Sequence, residues 1–179
     1  METDNLDQTI EQAKKDFQNG NFKAAIKGFK TAQAAFQANG SELDAAEMAN
    51  NLSVSLLQAK KKQAALDVVL GTDEIFARHN QPTKQAMAIG NQAAALEALK
   101  RYDEAEQAYQ RSADLLQGTG DEELRGYVMQ SLSALQLRRG QQLDGMFSMI
   151  SGLEGQEKLP LRKRFLRWLL KIPFKLSGK

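Results

Sequence analysis

Hydrophobic and small residues recur along this chain with a period of 40 residues. When residues 1–160 are written as four rows of 40, two columns show the recurrence most clearly: Ala25, Ala65, Ala105 and Gly145 in one, and Phe29, Val69, Tyr109 and Met149 in the other. A fixed period of this size is typical of repeat proteins, in which each unit buries its apolar face against its neighbours. The pattern therefore predicts a stacked array with extended surfaces, which favours a binding scaffold.

Each row has the pattern of two helices separated by a short break near its twentieth column. In the second row Ala45, Ala49, Leu52 and Leu56 are spaced by four, three and four residues, which places them on one helical face. Unbranched residues such as Ala, Gln, Leu, Lys and Glu are abundant, and they favour helix over strand. We expect an all-α protein without a sheet. Its eight predicted helices form four antiparallel pairs, at 5–18, 22–38, 42–60, 62–78, 82–100, 102–117, 121–139 and 141–153.

Composition offers little chemistry for catalysis. The 179 residues include no cysteine and one histidine, His79, which lies in a predicted turn. Thiolate metal sites and base-activated nucleophiles are therefore not expected, and we expect no enzymatic activity, no cofactor and no bound metal. The start of the chain lacks the basic and apolar pattern of a secretion signal, and no stretch has the roughly 20 apolar residues of a membrane span. We expect a cytoplasmic location.

The columns resemble those of the tetratricopeptide repeat (TPR) family. The family's helix pair carries small residues, a turn glycine and a turn aromatic, which in row one correspond to Gly20, Phe22, Ala25, Phe29 and Ala32. The resemblance covers about 150 residues, although the family's usual period is 34 and row four departs from the pattern. It implies a right-handed solenoid of antiparallel helix pairs over residues 1–157. The units would be about 1–40, 41–80, 81–120 and 121–157, followed by a separate segment at 158–179.

This resemblance also implies a concave groove, lined by the first helix of each pair, that binds a protein or peptide segment. The positions implied to face it include Asn50, Asn51, Val54, Leu57, Met87, Asn91, Ala94, Tyr127, Gln130, Ala134 and Leu137. Some family members hold a terminal carboxylate with cations around an asparagine, but here those cations are missing. Asn51 and Asn91 have a second interpretation, as consensus residues that hydrogen-bond backbone between helices. Methionine and small side chains suit an adaptable groove for an apolar or helical segment.

The segment 158–179 differs from the rest of the chain in charge. It holds eight lysines and arginines and no acid, so residues 1–157 hold 16 bases against 22 acids. After Pro160 the spacing predicts an amphipathic helix over residues 161–172. Its apolar face contains Leu161, Phe165, Trp168, Leu169 and Ile172, and its cationic face contains Lys163, Arg164, Arg167 and Lys171.

Three roles compete for this predicted helix. It could cap the exposed face of the last repeat, lie on an anionic membrane surface, or contact nucleic acid. The wide apolar face around Trp168 argues against nucleic acid, since phosphate contacts do not need it. We therefore expect a non-catalytic protein-interaction scaffold that the C-terminal helix recruits to anionic membrane. The alternative is a lipid-targeted structural protein whose groove or last repeat is covered by its own C-terminal helix.

Overall fold

The computed structural model describes residues 2–153 and is all-α, with no strand among those residues. Its helices are α1 (Glu2–Gln18), α2 (Phe22–Ala38), α3 (Glu42–Gln58), α4 (Lys62–Val69), α5 (Thr72–Arg78), α6 (Pro82–Ala98), α7 (Tyr102–Gln117), α8 (Glu122–Arg138) and α9 (Gln142–Leu153). Each helix packs mainly against its neighbours in sequence. The predicted helix at 161–172 lies outside the described residues.

Left-handed backbone recurs every 20 residues. Seven residues with φ between 52° and 81° lie at columns 20 and 40 of the rows: Gly20, Gly40, Lys60, Asn80, Lys100, Gly120 and Gly140. At most of them the next residue donates its N–H to the carbonyl five residues earlier, as Lys61 does to Leu56 at 2.9 Å. This hydrogen bond closes a helix and lets the chain turn into the next one. The period in the sequence is therefore also a period in backbone geometry.

Small residues bring paired helices close together. Ala65 is fully buried, and its carbonyl accepts a hydrogen bond from the Ser53 hydroxyl at 2.7 Å. Eighty residues later Ser133 donates to the carbonyl of Gly145, also at 2.7 Å. The two bonds join the same two columns, so the second and fourth helix pairs pack in the same register. Because each hydroxyl has an acceptor, its burial carries little penalty.

The predicted helix at 62–78 is wrong as a single helix, because the chain turns at residues 70 and 71. Leu70 has φ −58° and ψ 132°, and Gly71 has φ 80° and ψ −7°. These are the angles of a type II turn, whose second central position requires a positive φ and so favours glycine. The Thr72 hydroxyl donates to the Val69 carbonyl at 2.8 Å across the turn. The turn leaves Leu70 exposed and separates α4 from α5.

In the fourth row, glycines allow α9 to pack closely on α8. A Cβ added to Gly152 would lie 2.6 Å from the Met129 Cβ, so only glycine fits there. Arg125 also joins the two helices, donating to the carbonyl and hydroxyl of Ser151 at 2.9 and 2.7 Å. The end of α9 is thereby held beside the first turn of α8.

Candidate protein-binding groove

The first helices of successive units, α3, α6 and α8, are connected by side-chain bonds. The Asn91 amide on α6 donates to the Asn50 side-chain oxygen on α3 at 2.9 Å. Arg138 on α8 donates to Glu97 on α6 at 2.8 Å. Both bonds join residues 41 positions apart, so the helices lie in the same register. We call the surface that they form the α3–α6–α8 face.

Exposed apolar side chains lie along this face. Met87 is 47% exposed, Tyr127 is 56% exposed and Leu137 is 41% exposed. Three further predicted groove residues, Val54, Leu57 and Ala94, are half-buried, whereas Gln130 and Ala134 are exposed. Scattered surface apolar residues are ordinary, but several on one face are typical of a binding surface.

The predicted groove asparagines differ in what their side chains do. The Asn50 amide donates to the Ala46 carbonyl at 2.9 Å and to the Thr72 hydroxyl at 3.2 Å, while its oxygen accepts from Asn91. Asn50 and Asn91 therefore connect helices, which is a structural role. Asn51 is half-buried, and its backbone carbonyl accepts from Ser55.

Charged residues on the face pair with one another. Lys84 on α6 pairs with Glu47 on α3, and Glu97 accepts from both Arg138 and the Tyr109 hydroxyl, the latter at 3.0 Å. Burial raises the pKa of the Tyr109 phenol, and the neighbouring Glu97 carboxylate raises it further. The two cations are therefore already engaged, which argues against a carboxylate clamp built from them. The Lys84–Glu47 pair was not anticipated from the sequence, although opposite charges 37 residues apart were a signal for it.

A separate cleft lies between α2 and α4. Its volume is about 450 Å³, and Ala45, Ala46 and Ala49 of α3 are among its lining residues. The exposed Leu70 and the side chain of Gln33 also line it. None of the predicted groove residues contributes to this cleft.

The comparisons with known proteins assign no function to this chain. No protein-family model matches the chain, and no curated protein matches it significantly. Within residues 2–153, no group of His, Asp or Glu side chains is arranged to hold a metal ion. In the same part of the chain, no helix is long and apolar enough to cross a membrane. The predicted C-terminal site residues, from Leu161 to Ile172, lie outside the described residues.

Proposed function

We propose that this protein is a TPR-type solenoid that acts as a non-catalytic protein-interaction scaffold. The 20-residue recurrence of left-handed turns and the repeated Ser53–Ala65 and Ser133–Gly145 bonds support the repeat organisation. A stack of such units presents an extended surface built from corresponding positions of successive repeats.

The observation that carries the proposal is the exposed apolar set on the α3–α6–α8 face. Met87, Tyr127 and Leu137 are exposed, whereas Lys84 and Arg138 are engaged in ion pairs. A surface with unpartnered apolar groups and internally paired charges suits a segment with few charges. Methionine and tyrosine add an adaptable side chain and a rigid amphipathic one.

The partner that best fits this surface is an apolar or amphipathic segment of another protein, bound as a helix or an extended peptide. The sole histidine supports a non-catalytic role, because His79 is exposed and its ring contacts the Glu42 carboxylate at 2.9 Å. Arg78 donates to the same carboxylate. The carboxylate of Glu42 has a lowered pKa, mainly because of its hydrogen bond to His79. This arrangement links α3 to the end of α5.

A peptide library displayed on phage tests the groove. We expect selection on the full chain to enrich peptides whose affinity, measured by calorimetry, falls at least about tenfold in Met87→Glu and Tyr127→Glu, since an apolar contact is worth about 1.5 kcal/mol or more. Gln110→Glu, on the exposed side of α7, is the matched control and should leave the affinity unchanged. Failure to enrich any peptide, or peptides indifferent to both groove variants, would reject the proposal.

We also propose peripheral association with anionic membrane through residues 158–179. Its support is the charge pattern, with eight bases and no acid beside Trp168 and Phe165. Basic residues near an anionic surface contribute about 1 kcal/mol each. Co-sedimentation with phosphatidylserine vesicles should be lost when residues 158–179 are deleted. Equal sedimentation of the truncated chain would contradict this part of the proposal.

A further inference from the structure

The outer face of α9 is apolar where the corresponding faces of the other units are polar. Leu143 and Phe147 are 70% and 68% exposed, and Ile150 continues their line one turn further along the helix. The same columns hold Lys23, Lys27 and Lys30 in the first unit, Gln63, Asp67 and Leu70 in the second, and Asp103, Gln107 and Gln110 in the third. All nine of those residues are exposed, and only Leu70 is apolar.

A further repeat unit packed on the fourth pair would not cover this apolar line. A following unit covers a different position, that of Glu106 in the third unit, which pairs with Arg139 just after α8. The columns of Leu143 and Phe147 face solvent even where another unit follows. An apolar line at these columns therefore needs an occupant that the first three units do not have.

The exposed apolar residues of α9 have the same spacing as the apolar residues of segment 161–172 taken in reverse order. Leu143, Phe147 and Ile150 are separated by four and three residues, as are Ile172, Trp168 and Phe165 in reverse order. Two helices packed antiparallel, with Phe147 opposite Trp168, would bring the other two pairs together as well. Helices joined by a short connection pack in this antiparallel way.

Charge also favours this occupant. The only charged residue of α9 is Asp144, and the antiparallel register places it opposite Lys171. At the other end of α9, Ser151 contacts Arg125, which also pairs with Glu122. A cationic segment therefore meets opposite charge at Asp144, where an anionic lipid surface would meet an acid.

We propose that residues 161–172 form a helix that docks antiparallel on the outer face of α9. The inference rests on the proposed repeat organisation and deepens the role of residues 158–179. Docking covers the same apolar face that membrane would bind, so anionic lipid competes with α9 for this segment. The last unit thereby controls whether the membrane-binding face is available.

Fluorescence of Trp168, the sole tryptophan, tests the docking in the full chain without lipid. We expect emission at shorter wavelength than that of N-acetyltryptophanamide, unchanged on dilution. Phe147→Asp and Leu143→Asp should shift it to longer wavelength and increase quenching by acrylamide. Gln107→Asp, at the same column as Phe147 in the third unit, is the control and should have no effect. Circular dichroism verifies that the variants remain folded.

Several results would overturn the proposal. Trp168 emission that is unshifted in buffer and moves only with phosphatidylserine vesicles would mean that the segment binds membrane and does not dock on α9. Loss of the shift on dilution would indicate a second copy of the chain. A shift lost in Met87→Glu but kept in Phe147→Asp would mean that the segment fills the α3–α6–α8 face. After the last result, peptide binding to the α3–α6–α8 face would be measured in the chain that lacks residues 158–179. The docking proposal could therefore fail while the peptide-binding proposal stands.

Disulfide trapping gives a second readout, because the chain has no native cysteine. A disulfide requires Cα atoms about 4.4–6.8 Å apart. Leu143→Cys combined with Ile172→Cys should form an intramolecular disulfide under mild oxidation, seen as a mobility change in non-reducing electrophoresis. Gln107→Cys with Ile172→Cys should not. Equal trapping in both pairs, or in neither, would contradict antiparallel docking on α9.

Discussion

The third helix pair, α6 and α7, and the fourth, α8 and α9, occupy corresponding positions of the repeat but are built differently. In the third pair alanines such as Ala93 and Ala105 separate the helices. In the fourth, Gly145 and Gly152 replace larger residues, and Ser148 bonds to Gln136 where the third pair has Ala108 and Leu96. The outer face also changes from polar to apolar. The comparison shows that the fourth pair differs from the third both in its helix contacts and in its outer face.

Close packing in the fourth pair predicts the largest effect. Because a Cβ at Gly152 would meet the Met129 Cβ, Gly152→Ala forces α9 away from α8 and should lower the free energy of unfolding by about 2 kcal/mol. At Gly90, inside α6, a Cβ would make only ordinary contacts, with the Ser112 hydroxyl oxygen at 3.5 Å and the Val128 Cγ2 at 3.9 Å. Gly90→Ala should therefore raise stability by about 0.5–1 kcal/mol. Urea unfolding followed by circular dichroism measures both changes in stability. A loss in both variants, or a gain in both, would contradict the predicted difference between the two pairs.

Polar bonding in the fourth pair predicts a smaller loss. Ser148 donates to the Gln136 side-chain oxygen at 2.7 Å, and the Gln136 amide donates to Glu106 at 2.9 Å. Gln136→Leu would leave the buried Ser148 hydroxyl without that acceptor and should cost about 1.5 kcal/mol. Adding Ser148→Ala should recover most of the loss, since both positions then carry the apolar types found in the third pair. If urea unfolding gave the double variant a loss equal to the sum of the two single losses, this coupling would be contradicted.

The third pair has its own polar contact, between Tyr109 and Glu97. Tyr109→Phe removes a hydrogen bond to a carboxylate and should cost about 1 kcal/mol at neutral pH. The pKa of Tyr109 is raised by folding, so its contribution is fully present below about pH 10 and declines as the pH rises further. The difference between wild type and Tyr109→Phe should therefore shrink above about pH 10. Urea midpoints measured against pH test this, and a constant difference would exclude the linkage.

The turns within the two pairs predict the smallest effect. Lys100 adopts φ 64° where the fourth pair has Gly140 at φ 81°. A side chain is disfavoured there, so Lys100→Gly should stabilise the chain by roughly 0.5–1 kcal/mol, and Gly140→Lys should destabilise it by a similar amount. Thermal unfolding of the two reciprocal variants is the measurement. A loss of stability in Lys100→Gly would show that the lysine side chain contributes more than its backbone strain costs.

Much of the fold follows from periodicity. Helical spacing and the abundance of unbranched residues predicted the all-α class, and most helix bounds were predicted to within a few residues because small and apolar residues at fixed columns mark the packed faces. The break at Gly71 was missed since Leu66, Val69 and Phe76 continue the apolar spacing across it. The adjacent Gly71 and Thr72 were the available signal, as residues that favour a turn and a new helix start.

The spacing in the sequence predicted the candidate groove less completely than the fold. It placed Met87 and Tyr127 in one column and Leu137 in another, and all three residues are exposed. It could not predict that Asn50 and Asn91 bond to each other, because that contact depends on how closely two helices approach. Nor does spacing reveal that a glycine is required at position 152, because that requirement depends on the position of Met129 on another helix.

Methionine methyl NMR tests the central claim most directly, that the α3–α6–α8 face binds a protein segment. The six methionines sample different places, with Met87 on this face, Met146 and Met149 on α9, and Met48 and Met129 buried. Titration of the full chain with a peptide selected from the library should shift the Met87 methyl resonance strongly while those of Met146 and Met149 stay in place. Shifts at Met146 and Met149 with an unmoved Met87 would contradict the account.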